Sequence, residues 1–350
     1  MVNSKNSLDV DIAQILANSA EWDHVKDASQ GSFDLDIITK AAIHTIQTVQ
    51  QQVDEDIATD PVSAFEPLAI GTRGKPLLAI DLVAERNAAR ELHRALASYS
   101  LLVLGEESLR DQDLDLTTEQ RLVVLVDMID GTDLLERSLS NWCSALVFYY
   151  PPQRQILAAF VGLPHDAIYF ATNESSYPRK YRYHGGPAML RVSGPSAVKT
   201  IEDSSLAFYG QKPSNLSSVV DSGLFAYLAH LHHVHSETRR ELKTRVYNIA
   251  GNPIAMKLID GPSRVDAVFD LHGQAPHDIV PGAFIAQKAG ASFCDLNGRP
   301  IDLNQILLRP ADRKARLRYI LASTQQLSVQ LRQCILGTHW EVEHPRPVAA

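Results

Sequence analysis

The chain has 350 residues, 45% of them apolar and 21% charged, with 33 Lys and Arg against 41 Asp and Glu for a net charge of −8. A chain of this length and balance buries one large core or two moderate ones, which excludes a disordered or fibrous protein. The acidic balance, with no Lys/Arg block long enough to track a phosphate backbone, argues against a nucleic acid polymer as partner.

Along the chain, residues 1–32 read as an N-terminal extension. From Asp34 to Val53, apolar positions at Ile38, Ala42, Ile46, Val49 and Val53 recur at three- and four-residue steps behind a Ser32/Asp34 cap region, predicting an amphipathic helix. Asp54 to Lys75 reads as a surface loop, and Asp81 to Tyr99 as a second helix presenting Asp81 and Glu85 one turn apart. Leu101–Leu104 and Leu122–Val126 are apolar runs ending in Gly105-Glu106-Glu107 and Asp127, as buried strands delivering carboxylates do. Trp142–Tyr150, Ile156–Val161 and Ala167–Ala171 predict an antiparallel meander. Asn173 to Pro195 is weakly periodic, and a lobe boundary is placed at its end. Helices near Asp221–His232, Pro253–Ile259 and Asp278–Ala289 then alternate with strands near Val265–Phe269, Ala291–Cys294 and Tyr319–Ala322. The sum is an α/β fold of two lobes, residues 33–195 and 196–325, with 326–350 as a C-terminal tail.

The sharpest local feature is Asp127-Met128-Ile129-Asp130-Gly131-Thr132-Asp133. Carboxylates grouped at a strand end repel one another unless a cation or protons neutralise them, and Mg²⁺ suits an all-oxygen, partly hydrated site. The same tetrapeptide, Asp-Gly-Thr-Asp, also reads as a tight turn with a helix cap. Likewise Glu106 and Glu107 read as a ligand pair or a solvated strand end, and Asp278 as a ligand or the cap of the helix that follows.

Gly105-Glu106-Glu107, Asp127-Met128-Ile129-Asp130-Gly131-Thr132 and Asp278-Ile279-Val280-Pro281-Gly282, in this order, resemble the motif set of the inositol monophosphatase family. Lys75 to Glu85 and Gly251 to Asp270 are similar to further stretches of that family. The resemblance implies a layered α-β-α-β sandwich and an Mg²⁺-dependent, lithium-sensitive phosphatase that hydrolyses a small phosphate monoester by metal-activated water. It implies that Glu106, Asp127 and the carbonyl of Ile129 hold one Mg²⁺, that Asp127, Asp130 and Asp278 hold a second, and that Asp81 lies near a third. Glu106 and Thr132 would position the attacking water. The backbone of Gly131 and Thr132 would bind phosphate, and Gly251, Asn252, Asp270 and Asp278 would face the substrate. A homodimer is implied as well. An inositol, polyol or sugar phosphate is the substrate the resemblance favours, with fructose-1,6-bisphosphate and a 3′(2′),5′-bisphosphate nucleotide as alternatives on the same scaffold. A phosphometabolite-binding protein without turnover is the alternative of another class.

The chain departs from the family pattern at Leu78, where threonine is usual, at Met128, where proline is usual, and at His277, where tryptophan is common. Gly251-Asn252-Pro253 also reads as a plain turn and helix start, and Asp270 as a solvated strand end. His230, His232, His233 and His235 read as a solvated helix end, Arg239 to Arg245 as surface charge, and Trp142, Phe148, Tyr149, Tyr150 and Cys143 as core. Cys143, Cys294 and Cys334 are dispersed without ligand spacing, so a disulfide framework is not expected. With no signal-peptide pattern and no run of about 18 apolar residues, a cytoplasmic, membrane-free protein is the expectation.

Overall fold

Asp34 opens the first helix by accepting the backbone N–H groups of Asp36 and Ile37 on Oδ1, at 2.9 and 3.2 Å. The computed structural model describes residues 33–70, 76–105, 114–139, 141–182, 188–238, 243–260 and 264–337. Helix α1 (Leu35–Thr59) buries the predicted stripe of Ile38, Ala42, Ile46, Val49 and Val53. It runs beyond Val53 through part of the expected loop, because no Gly or Pro interrupts it before Asp60-Pro61 and Ile57, one turn after Val53, still packs against the same core. Asp60 then caps the short helix α2 (Pro61–Ala64) by accepting from Ser63 N at 3.1 Å. Strands β1 (Pro67–Ile70) and β2 (Pro76–Leu78) form a small hairpin ahead of α3 (Ala79–Ala95), which turns Ile80, Ala84, Ala88 and Leu92 inward together with Asp81 and Glu85.

Helices α1 and α3 cover one face of a seven-stranded sheet whose strands lie in chain order: β3 (Leu101–Gly105), β4 (Leu122–Asp130), β5 (Cys143–Tyr150), β6 (Gln155–Gly162), β7 (Ala167–Thr172), β8 (Arg179–Arg182) and β9 (Ala188–Arg191). β3 and β4 are parallel; every later pair is the predicted antiparallel meander. β5 and β6 are buried on both faces, which is why they read as unbroken apolar runs. β8 and β9 lie in the stretch that shows weak periodicity, since an edge pair half in solvent carries Arg and Lys instead of a clean alternation.

After the five-residue helix α4 (Thr132–Glu136), the remaining elements build a second sheet of order β11-β10-β12-β14-β13. Its strands are β10 (Ser205–Phe208), β11 (Arg245–Tyr247), β12 (Ala267–Gln274), β13 (Ser292–Asp295) and β14 (Leu317–Ala322). Between the two sheets lie α7 (Asn252–Ile259) and α8 (Val280–Lys288), whose Ile254, Met256, Leu258, Val280 and Ile285 join Val147 and Tyr149 of one sheet to Val268 and Leu321 of the other. Each such side chain, fully buried, contributes about 1.5–3 kcal/mol. Helices α5 (Pro213–Val220), α6 (Gly223–Thr238) and α11 (Gln325–Ile335) cover the outer face of the second sheet through Val219, Leu224, Leu327 and Leu331. The short helices α9 (Leu303–Ile306) and α10 (Pro310–Lys314) precede β14. The α-β-α-β order thus stands, with a fifth, helical layer outside it. Part of that layer is α11, in the stretch read as a tail from its sequence.

Candidate active site

The strand end at Asp127–Asp130 is shaped by a register shift. Asp127 pairs with Ala145 and Asp130 with Cys143, so β4 advances three residues while β5 advances two. In a regular strand, residues three apart point to opposite faces; the extra residue brings both aspartates to one face. Met128 and Ile129, buried against the cluster formed by α1 and α3, absorb the irregularity on the other side. Ser144 Oγ donates to Met128 O at 2.8 Å, and Gln50 Nε2 from α1 lies 3.2 Å from that hydroxyl and 2.7 Å from Gly162 O. A buried polar network therefore props the turn from behind.

Gly131 follows at φ 101°, a left-handed conformation in which a Cβ would stand 3.0 Å from Asn141 O and 3.3 Å from Trp142 Cα. Its carbonyl accepts from Leu134 N and Leu135 N and so starts α4. Thr132 Oγ1 lies 2.7 Å from Asp81 Oδ1 and 2.9 Å from Ile129 O. The hydroxyl is buried, and it ties the carboxylate carried by α3 to the turn that carries Asp127 and Asp130.

From the far side come the residues around the 3₁₀ turn Pro276–Asp278. Asp278 Oδ2 accepts from Ala275 N at 3.2 Å, and its Oδ1 lies 3.1 Å from His277 Nε2. Asp278 therefore closes the 3₁₀ turn on which it sits and does not cap the helix that follows, whose N-cap residue Ile279 makes no side-chain cap bond. One ligand atom from each of Asp127, His277 and Asp278 lies within 4.8 Å of the others. Asn252, fully buried, braces the group: its Nδ2 donates to Asp130 Oδ2 and to His277 O, each at 3.0 Å, and its Oδ1 accepts from Gly282 N at 2.8 Å. Its backbone N–H also reaches Asp130 Oδ2 at 3.3 Å. Both polar atoms of that amide are engaged, so Asn252 acts as a positioning side chain. Gly251 stands beside it at φ 93°, where a Cβ would lie 3.5 Å from Asp130 Oδ2.

Negative charge accumulates here. Burial pushes the Cys143 thiol well up, and the carboxylates of Asp130, Asp127 and Asp278 push it further. Burial also raises the Tyr319 phenol, with Asp270, Asp278 and Asp130 adding to it. Asp270 is not a solvated strand end: it sits inside β12 with no exposed surface. Its Oδ1 accepts from His272 N at 2.7 Å and from Gly273 N, while its Oδ2 is buried without a hydrogen-bond partner. Burial raises this carboxyl to about 6, against the opposing pull of the two backbone donors. Glu106, Glu107 and Lys75 lie outside the described residues, as do Arg239 and Arg240 of the basic run.

The features that sequence reasoning missed are the Asn252 brace, the Gln50–Ser144 prop and the nearness of His277 to the acids. A glutamine on the apolar stripe of α1 was the one available signal for the prop. The histidines 230–235 lie on α6 itself, with an exposed His233–Glu237 pair at 3.1 Å, and take no part in the acidic cluster.

A family model described as the inositol monophosphatase family matches residues 34–329. The chain belongs to that family. Solved structures with the same fold include the IMPase of Thermotoga maritima, 15% identical at a TM-score of 0.58, with 87% of this chain and 98% of that one covered. An inositol monophosphate-bound IMPase-II from Staphylococcus aureus is 18% identical at a TM-score of 0.56, covering 87% and 96%. The extragenic suppressor protein suhB of Bartonella henselae is 17% identical at 0.56, covering 86% and 97%. No curated protein sequence matches the chain. Membership of the inositol monophosphatase family makes the chain a phosphatase of that superfamily. Among the described residues, no helix is long and apolar enough to cross a membrane.

Proposed function

We propose that this chain hydrolyses a small phosphate monoester, an inositol monophosphate or a related polyol or sugar phosphate, with divalent ions of the Mg²⁺ class. The observation that carries the reading is the meeting of Asp127 and Asp278, from separate layers of the fold, beside the turn that holds Asp130, Gly131 and Thr132. The donor set fits a hard cation, because carboxylates that cluster at a partly buried strand end need a positive charge between them. Asp127, Asp130 and Asp278 would hold one ion, Glu106, Asp127 and the Ile129 carbonyl another, and Asp81 would lie near a third. When bound, such ions make a water acidic near neutral pH and neutralise the departing oxygen.

The chain's own residues do the positioning. Thr132 has a single hydroxyl hydrogen, given to Asp81 Oδ1 or Ile129 O, so its lone pairs remain to orient a water. Asn252 holds Asp130 in place and prevents its rotation away from the cluster. The backbone of Gly131 and Thr132 would receive the phosphate, and Gly251 and Asp278 would border the substrate. Asp270 would act through its burial at the edge of this group.

The Staphylococcus aureus relative has been seen with inositol monophosphate and with 2′AMP, so both substrate classes belong in the test. Phosphate release from inositol phosphates, fructose-1,6-bisphosphate and 3′-phosphorylated adenosine nucleotides is measured with and without Mg²⁺ for the wild type and Asp127→Asn. Release that needs the ion and falls by at least about a hundredfold in the variant supports the reading, since metal-assisted chemistry supplies several kcal/mol. A folded, ion-loaded protein that leaves every substrate intact overturns it in favour of ligand binding without turnover. A homodimer and a cytoplasmic setting belong to the same proposal.

A further inference from the structure

Resting on the phosphatase reading, we propose that His277 supplies an imidazole nitrogen to the ion held by Asp127 and Asp278, so that this site takes a first-row transition ion such as Mn²⁺ in preference to Mg²⁺. His277 and Asp278 are neighbours on one 3₁₀ turn, and Asp127 faces them from the end of β4. The His277 Nε2 to Asp278 Oδ1 separation is 3.1 Å. Two adjacent ligands on an octahedral ion with arms of about 2.1 Å stand about 3.0 Å apart, so the pair already spans the edge of such a coordination shell. The three candidate ligand atoms lie within 4.8 Å of one another, and opposite ligands on that shell stand about 4.2 Å apart. At least two of the three pairs must stand at the adjacent separation, so Asp127 closes on the His277–Asp278 pair by at most about 2 Å when the ion binds.

The chemistry of the donors sets the preference. Mg²⁺ demands oxygen ligands and keeps its water, whereas imidazole favours transition ions along the series that rises from Mn²⁺ towards Cu²⁺. The tryptophan common at this position in the family offers no ligand, so the nitrogen is a property of this chain. Its ring is held from behind as well: the backbone carbonyl of His277 accepts from Asn252 Nδ2 at 3.0 Å, fixing the turn on which the ring is mounted.

The test is pulsed EPR on the full chain loaded with Mn²⁺, together with Mn²⁺ and Mg²⁺ binding titrations, for the wild type, His277→Gln and His277→Trp. Wild type is expected to show imidazole ¹⁴N coupling to the ion. In both variants that coupling vanishes and the Mn²⁺ dissociation constant rises by roughly tenfold or more, while that for Mg²⁺ moves by less than about threefold. Mn²⁺ bound without nitrogen coupling, coupling that persists in His277→Gln, or equal losses of both ions overturns the proposal and leaves the phosphatase reading intact. A wild type that binds neither ion overturns both. Should the variants not fold, wild type made with ¹⁵N-histidine decides: the coupling must switch isotope, and its absence refutes a histidine ligand.

Discussion

Replacing Asn252 by alanine removes three hydrogen bonds at once, one buried and two part-buried, and leaves the backbone in place. The Gly282 N–H loses its 2.8 Å acceptor inside the protein, the His277 carbonyl loses a donor at 3.0 Å, and the Asp130 carboxylate keeps only the longer contact from the residue 252 backbone among these. A neutral hydrogen bond contributes about 1 kcal/mol net, one to a charged group about 1.5–3, and a stranded buried donor costs about 1–3. The expected loss is about 4 kcal/mol. In guanidinium chloride, at a slope of about 4 kcal/mol/M, the midpoint should fall by about 1 M with the slope unchanged. Asn248→Ala is the control, since Asn248 gives one bond to Gly210 O at 3.1 Å and should cost about 1 kcal/mol. An Asn252→Ala midpoint within about 0.2 M of wild type would show that the brace is not structural, and that the geometry assigned to Asp130 does not depend on it.

Asp270 carries a pH signature. Its carboxyl is raised from 3.8 to about 6 in the folded chain, so the native state holds the proton more tightly than the unfolded one. Stability is full below about pH 4, falls as pH rises to about 6, and stays lower above by on the order of 3 kcal/mol. Asp270→Asn should therefore gain stability at pH 8 and nothing at pH 4 in chelator-treated protein; an equal effect at both would refute the assignment. Gly131→Ala should lower the melting temperature, since a left-handed alanine costs roughly 1–2 kcal/mol before its contact with Asn141 O is counted. Thr132→Val should reduce kcat by about a hundredfold with little change in KM, and Thr132→Ser should restore most of it; a KM effect alone would make the hydroxyl a binding group. Chelation should abolish phosphate release, and a divalent ion should restore it.

Much of this molecule is legible in the chain itself, for physical reasons that also explain the gaps. Leu122–Val126 and the runs at Trp142–Tyr150 and Ile156–Val161 announce strands because both faces are buried, and the Ile38 to Val53 stripe announces a helix because one face is. Residues 54–59 continue that helix with Ile57 as their one large apolar residue among three acids, and Arg179–Arg182 pairs at a sheet edge where charge is tolerated. The meeting of Asp127 with Asp278 follows from motifs. The engagement of Asn252 does not, because its three partners come from residues 130, 277 and 282 and only the folded chain brings them together. Asp270 reads from sequence either as a solvated strand end or as a residue facing the substrate, and the amides of His272 and Gly273 that turn onto it inside the core are visible only in the folded chain.

The register shift in β4 makes the acidic group a matter of counting. Between Asp127 and Asp130 the two side chains face the apolar layer, so their identity is free to vary with packing, which accommodates methionine where proline is usual. Their number is not free. Deleting Met128 would bring the strand back into step with β5 and leave the carboxylates two residues apart, the arms of the turn shortened and Gly131 drawn towards Cys143. Adding one residue would swing Asp130 through to the layer occupied by α1 and α3. Homologous replacement at this point is a question of shape, whereas a single-codon loss removes the bulge and a single-codon gain is a question of which side of the sheet the charge is on.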